Sequence, residues 1–135
     1  MSLDIQQREH EGVAILDLKG RITMGQEAGA LREKVTLLTT GAINNIIVNL
    51  QHVDYIDSTG LGAMVMCATT VRKAGGSLKL ENLNRRNIEL LVMTKLATVF
   101  DLFTDEQDAV NSFYPDRQIK KFDILNFVEQ MKKED

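Results

Sequence analysis

The stretch that decides the fold is Asp57-Ser58-Thr59-Gly60-Leu61-Gly62. An apolar run, Ile46-Ile47-Val48-Asn49-Leu50, and a short extended piece, Val53-Asp54-Tyr55-Ile56, precede it. A long helical pattern follows from about Thr59 to Ala74, with Leu61, Met64, Val65, Ala68 and Val71 inward, and Gly75-Gly76 stops it. A strand therefore hands over to a helix here, and the spacing predicts Ser58 at the helix N-cap. Its hydroxyl would satisfy an orphan N–H, and a phosphate there would meet the positive end of the helix dipole.

Outward from this junction, helices and strands alternate. Leu3 to His10 reads as an edge strand, Glu11-Gly12 as a tight turn, and Val13 to Leu18 as a second strand ended by Gly20. Gly25 to Thr40 carries a helical stripe of Ala28, Leu31, Val35 and Leu38, with Gly41 at the C′ position. Ser77 to Asn82 alternates as a strand with one face inward. Asn84 is expected to cap a helix from Arg85 to Thr94, with Ile88, Leu91 and Val92 inward. Val99 to Phe103 is extended, and Thr104-Asp105-Glu106-Gln107 reads as a capping box opening a helix to about Phe113. This order predicts an α/β fold: a mixed, mostly parallel sheet, an N-terminal antiparallel hairpin and about four flanking helices. Pro115 breaks the pattern. Residues 1–114 are expected to form one domain, and 115–135 a C-terminal helical extension with a broad apolar face.

The totals narrow the function. A net charge of −3 over 135 residues disfavours nucleic acid. No apolar run suits membrane insertion, the N-terminus is too polar for a signal peptide, and a cytoplasmic location is the default expectation. The single Cys67 has no disulfide partner and reads as core. Two histidines, one cysteine and scattered carboxylates give no metal constellation, and no cofactor is expected. Gly60 and Gly62 lack the third glycine of a dinucleotide fingerprint, because Val65 stands there. Neither His10 nor His52 has the spacing of a triad base for Ser58, so the chain is not read as an enzyme. Arg85-Arg86 reads as a solvated helix start rather than a phosphate site. One bland reading stands beside the functional one: Asp-Ser-Thr-Gly is good turn and cap chemistry wherever a strand meets a helix.

Once Ser58 is placed between strand and helix, the chain resembles the STAS domain, the family of bacterial anti-sigma factor antagonists. The resemblance runs from about Leu3 to Phe113. It is carried by Ile47 to Leu50, Val53 to Gly62, Leu80 to Asn84 leading into Ile88 to Leu91, and Leu96 with Val99-Phe100 through Ala109. It departs at Asn49, where Asp is common, at Thr59, where Ser is common, at Thr23, where Asp is frequent, and at Lys95, where Gly is frequent. The resemblance implies a phosphorylation-switched binding module. The unphosphorylated form sequesters a serine-kinase anti-sigma factor, the kinase phosphorylates Ser58 using its own ATP, and the modified antagonist lets go. A metal-dependent serine/threonine phosphatase resets it. Thr59 is the fallback acceptor. Thr23, Met24, Asp57, Thr59, Gly60, Leu61 and Gly62 form the expected partner-binding set, with the two glycines admitting the partner's backbone. Two alternatives stay open. One is a scaffold or docking subunit of a signalling or lipid-transport complex, homodimeric through 115–135. The other is a small-ligand or nucleotide sensor with an anion at the Ser58 helix start.

Overall fold

The first strand, β1 (Leu3–His10), turns through Glu11 and Gly12 into β2 (Val13–Ile22). Both turn residues have positive φ, 53° and 86°, the geometry that two-residue hairpin turns require. The computed structural model describes residues 3–134. Met1, Ser2 and Asp135, the outermost residues of the expected divisions 1–114 and 115–135, lie outside the described residues. After β2 come α1 (Gln26–Thr40), β3 (Asn45–Ile56), α2 (Ser58–Lys73), β4 (Ser77–Glu81), α3 (Arg85–Met93), β5 (Leu102–Phe103), α4 (Glu106–Asn111) and α5 (Ile124–Glu134).

The five strands lie in the order β1-β2-β3-β4-β5. The hairpin is antiparallel and every other pairing is parallel, as the alternation of strands and helices predicts. The α1 stripe foreseen from the sequence is the buried one: Ala28, Leu31, Val35 and Leu38. It packs with α2 on one sheet face, over Leu16, Leu18, Val48, Leu50 and Leu80. On the other face α4 seals Val13, Ile15, Ile47 and Phe103 beneath Ala109 and Val110, with Phe113 and Tyr114 packed beside them.

Several local expectations are corrected. Gly20 does not end β2; with φ of 123° it sits at a register shift, and the strand runs on to Ile22. Val53 to Ile56 is not a separate piece but the far half of a twelve-residue β3. Gly41 is not the left-handed C′ residue. Ala42 takes that conformation at φ 66°, and its N–H and that of Ile43 close a Schellman motif onto Thr39 and Leu38. Lys95, at φ 63°, closes α3 in the same way. Thr104 does not cap α4; Asp105 does, accepting from the Asp108 N–H at 3.1 Å. β4 is not one-sided, because α4 covers its second face and buries Lys79 and Glu81.

The C-terminal segment lies on the domain. The Phe122 N–H donates to the Leu102 carbonyl at 3.0 Å along the β5 edge, and Phe122 and Ile124 pack against the main core. Arg85 of α3 pairs with Glu134 and faces the Phe127 ring at 6.0 Å. Among the described residues, no helix is long and apolar enough to cross a membrane.

Candidate functional site

Parallel strands leave their C-terminal ends on one rim of the sheet, and β2 and β3 end there side by side, Ile22 beside Ile56. From that rim the chain enters α1 and α2 through two adjacent loops. The N-cap of α2 is Asp57, not Ser58. Its Oδ1 accepts the Gly60 N–H at 2.7 Å. Its Oδ2 accepts the Met24 N–H at 3.0 Å, and its own N–H donates to the Ile22 carbonyl at 3.2 Å. One carboxylate therefore caps a helix and pins the neighbouring loop, with both oxygens engaged.

Ser58 is consequently the first helical residue. Its side chain is exposed and bonds to no other side chain or backbone group among the described residues. The N–H groups of Ser58 and Thr59 are the first two of the helix and have no acceptor one turn back. A hydroxyl in water beside open N–H groups at a helix N-terminus matches what a phosphoryl group needs.

The partner-binding set expected from the sequence separates in two. Thr23, Met24, Asp57, Thr59 and Gly62 come together on the rim around Ser58, the expected phosphoacceptor, with Met24 70% exposed. Gly60 and Leu61 turn inward instead. A Cβ on Gly60 would collide with the Ile22 carbonyl oxygen, so this glycine admits the chain's own β2 rather than a partner's backbone. Leu61 is a core residue. Gly62 has no neighbour near its absent Cβ and faces open space. Met66, one turn further along the same exposed face, adds an adaptable apolar side chain beside it.

A second polar cluster lies on the α4 side of the sheet, and the sequence reading gave no sign of it. Asp17, Asn49 and Glu81 stand in one row across β2, β3 and β4. Arg8 donates from Nε to Asp17 at 2.6 Å and also grips Glu106 of α4, with Nη1 at 2.8 Å. His10 Nδ1 lies 2.7 Å from Glu106, and the Asn49 amide donates to Asp17 at 2.8 Å. The Asn49 amide supplies a donor at a position where a carboxylate would face Asp17 with like charge.

Glu81 is fully buried, and its Oε1 has no hydrogen-bond partner. Burial first, and the Glu106 carboxylate within hydrogen-bonding reach second, push the Glu81 carboxyl up to about 9. The Arg8 guanidinium holds Glu106 down to about 2. Both effects favour the protonated form of Glu81, and the guanidinium favours the ionised form of Glu106. Contact with Glu106 raises His10. Burial works against ionised Asp17, but hydrogen bonds from Arg8 and Asn49 outweigh it and leave that carboxyl lowered. Cys67 lies on the buried face of α2, and burial pushes its thiol up to about 11, which disfavours the thiolate. Among the described residues no group of three or more His, Cys, Asp or Glu side chains has metal-binding geometry.

Comparison with known proteins identifies the fold and the family. Residues 4–109 match the STAS domain. The chain is 37% identical over 111 residues to an anti-sigma-B factor antagonist of Bacillus subtilis, covering 82% of this chain and 99% of that one. A putative anti-sigma factor antagonist from Thermotoga maritima superposes with a TM-score of 0.75 at 21% identity, over 81% of this chain and 93% of that one. The anti-sigma factor antagonist SpoIIAA in its unphosphorylated form superposes at 0.62 with 18% identity, over 81% and 96%. Its phosphorylated form gives the same score at 19% identity, over 81% and 98%.

Proposed function

This chain belongs to the STAS domain family as an anti-sigma factor antagonist, a binding protein rather than an enzyme, and we propose that Ser58 is the phosphoacceptor that switches its binding. The supporting observation is the exposed, unengaged Ser58 hydroxyl at the first position of α2. Unphosphorylated, the rim formed by Thr23, Met24, Ser58, Thr59 and Gly62 holds a serine-kinase anti-sigma factor in the cytoplasm. The kinase transfers the γ-phosphoryl of its ATP to Ser58 Oγ. A metal-dependent serine/threonine phosphatase removes it again. SpoIIAA, of the same fold, has a phosphorylated form, which favours this reading.

The energetics follow from the local groups. A phosphoryl group adds about −1.5 to −2 charges and three strong acceptors. On the domain, those oxygens meet helix N–H groups and stay in water, so the fold tolerates them. Under a docked partner the same charge is desolvated beside Asp57, and like-charge contact costs several kcal/mol. Each ~1.4 kcal/mol is tenfold in affinity, so one modification suffices for release without a change of shape. Asp57, with one backbone N–H on each carboxylate oxygen, acts as the clamp that fixes the rim.

Residues 4–109 carry the family match, and we take 1–114 as the functional domain with 115–135 as an appendage. Phe122 and Ile124 of that appendage are engaged with the chain's own core, which argues against a homodimer built on it. The test is mass spectrometry after incubation with the cognate kinase and ATP. One phosphoryl group on Ser58, absent in Ser58→Ala, is expected. Modification of Thr59 or another residue with Ser58 untouched would overturn the assignment.

A further inference from the structure

β3 outruns its neighbour. β4 pairs with it only from Asn45 to Asn49, so the far half of β3 has β2 on one side and no strand on the other. The start of α3 fills the gap at first: the side-chain amides of Asn84 and Asn87 both donate to the Val53 carbonyl, at 3.3 and 3.0 Å. Beyond Val53 the two elements part and leave a groove of about 200 Å³. Its floor is Ile56 and Asn87, and its walls are Tyr55, Leu90, Met93, Arg86 and Glu89, the last paired with Arg85. The lining is mostly apolar, yet Met93 is 74% and Tyr55 41% exposed.

The charges around the groove are unequally matched. Arg85 has two carboxylates, Glu89 at 2.8 Å and Glu134. Arg86, on the groove side, has no carboxylate among the described residues, and its guanidinium rests 5.8 Å from the Tyr55 ring centroid. A cation held over an aromatic ring, beside an open apolar slot, complements an apolar side chain flanked by an acid. The groove also adjoins the rim described above: Tyr55 and Ile56 are the last residues of β3, and Asp57 and Ser58 follow directly.

We infer that this groove is the anchor pocket for the anti-sigma factor, receiving one large apolar side chain of that partner with a neighbouring carboxylate on Arg86. The inference rests on the reading of Ser58 as the switch and adds where the affinity comes from. Ser58 carries the sign of the interaction and the groove carries its strength. Met93 suits the task because an unbranched thioether adapts to the shape it meets. Because Arg86 lies at the rim of the pocket, its contribution is sensitive to salt.

The test titrates the purified cognate anti-sigma factor kinase calorimetrically with five chains: wild type, Arg86→Glu, Met93→Ala, Ser58→Glu and Leu37→Ala. Leu37 is another exposed apolar residue, on α1 and away from the groove. Arg86→Glu and Met93→Ala are each expected to weaken binding about tenfold or more, with melting temperatures unchanged because both side chains are exposed. Leu37→Ala should bind as wild type. The salt dependence of affinity should change in Arg86→Glu and stay as in wild type in Met93→Ala. If Arg86→Glu and Met93→Ala bind as wild type while Ser58→Glu does not bind, the groove assignment is wrong and the switch stands. If Ser58→Glu binds as wild type, the switch reading itself fails, and weakened binding by the groove variants would then still support the pocket.

Discussion

Two regions of this molecule gather polar groups, and they do so in opposite ways. The cluster of Arg8, His10, Asp17, Glu81 and Glu106 has the look of a reaction centre: a fully buried acid, a histidine and a doubly engaged guanidinium. The α2 start has only a serine, a threonine and one aspartate at the surface. Yet the groups in the first region are committed to one another, tying α4 to the sheet. In the second, Ser58 is committed to nothing. A site that must gain and lose a charge needs room and water, whereas a part-buried ionic network resists both. Perturbed pKa values mark functional sites and structural networks alike, and here they mark the network.

The sharpest way to break this contrast is Ser58→Glu. It should lower affinity for the anti-sigma factor about a hundredfold, some 2.7 kcal/mol, while leaving the denaturant midpoint where it was. A loss of stability matching the loss of binding would erase the distinction between the two regions. Gly60→Ala probes the scaffold under the rim. Its methyl group would collide with the Ile22 carbonyl, and a loss of about 3 kcal/mol is expected in urea unfolding.

Glu81→Gln tests the network through pH. In the folded protein Glu81 keeps its proton up to about 9, whereas in the unfolded chain it loses it near 4.5. Between those values the folded state holds the extra proton, so this residue's contribution is complete below about 4.5 and is lost as pH rises toward 9. Glutamine keeps a donor toward Glu106 and has no proton to lose. Its stability curve over that window should therefore be flatter, with the variant gaining on wild type as pH rises. Curves of equal slope would show that Glu81 does not hold that proton. The smallest effect expected is at Lys95, a non-glycine residue at φ 63°. Lys95→Gly should raise stability by up to about 1 kcal/mol in thermal unfolding, since the left-handed conformation costs a side-chain residue about that much.

Much of this was legible from the chain alone. The hairpin, the order of strands and helices, the α1 stripe and the Asn84 cap follow from period and turn chemistry, which act over a few residues. The Ser58 junction was legible for the same reason. The exact cap was not. Asp57 and Ser58 are both good cap residues, as are Thr104 and Asp105, and in each pair the aspartate took the position. The second carboxylate oxygen of Asp57 also bonds Met24 across the rim, a contact 33 residues distant that no local pattern reports.

By itself, then, the sequence determined an α/β domain with a serine where a strand meets a helix, because hydrophobic period and capping chemistry are local. The tertiary structure decided which of the neighbouring residues serve the surface and which the interior. Gly60 and Leu61 went inward, and Glu81, polar in an alternating strand, was sealed under α4. The groove beside Arg86 exists only because β3 is longer than β4. Burial, proton affinity and the shape of a cleft depend on which elements come to lie against each other, and that is settled only when the whole chain packs.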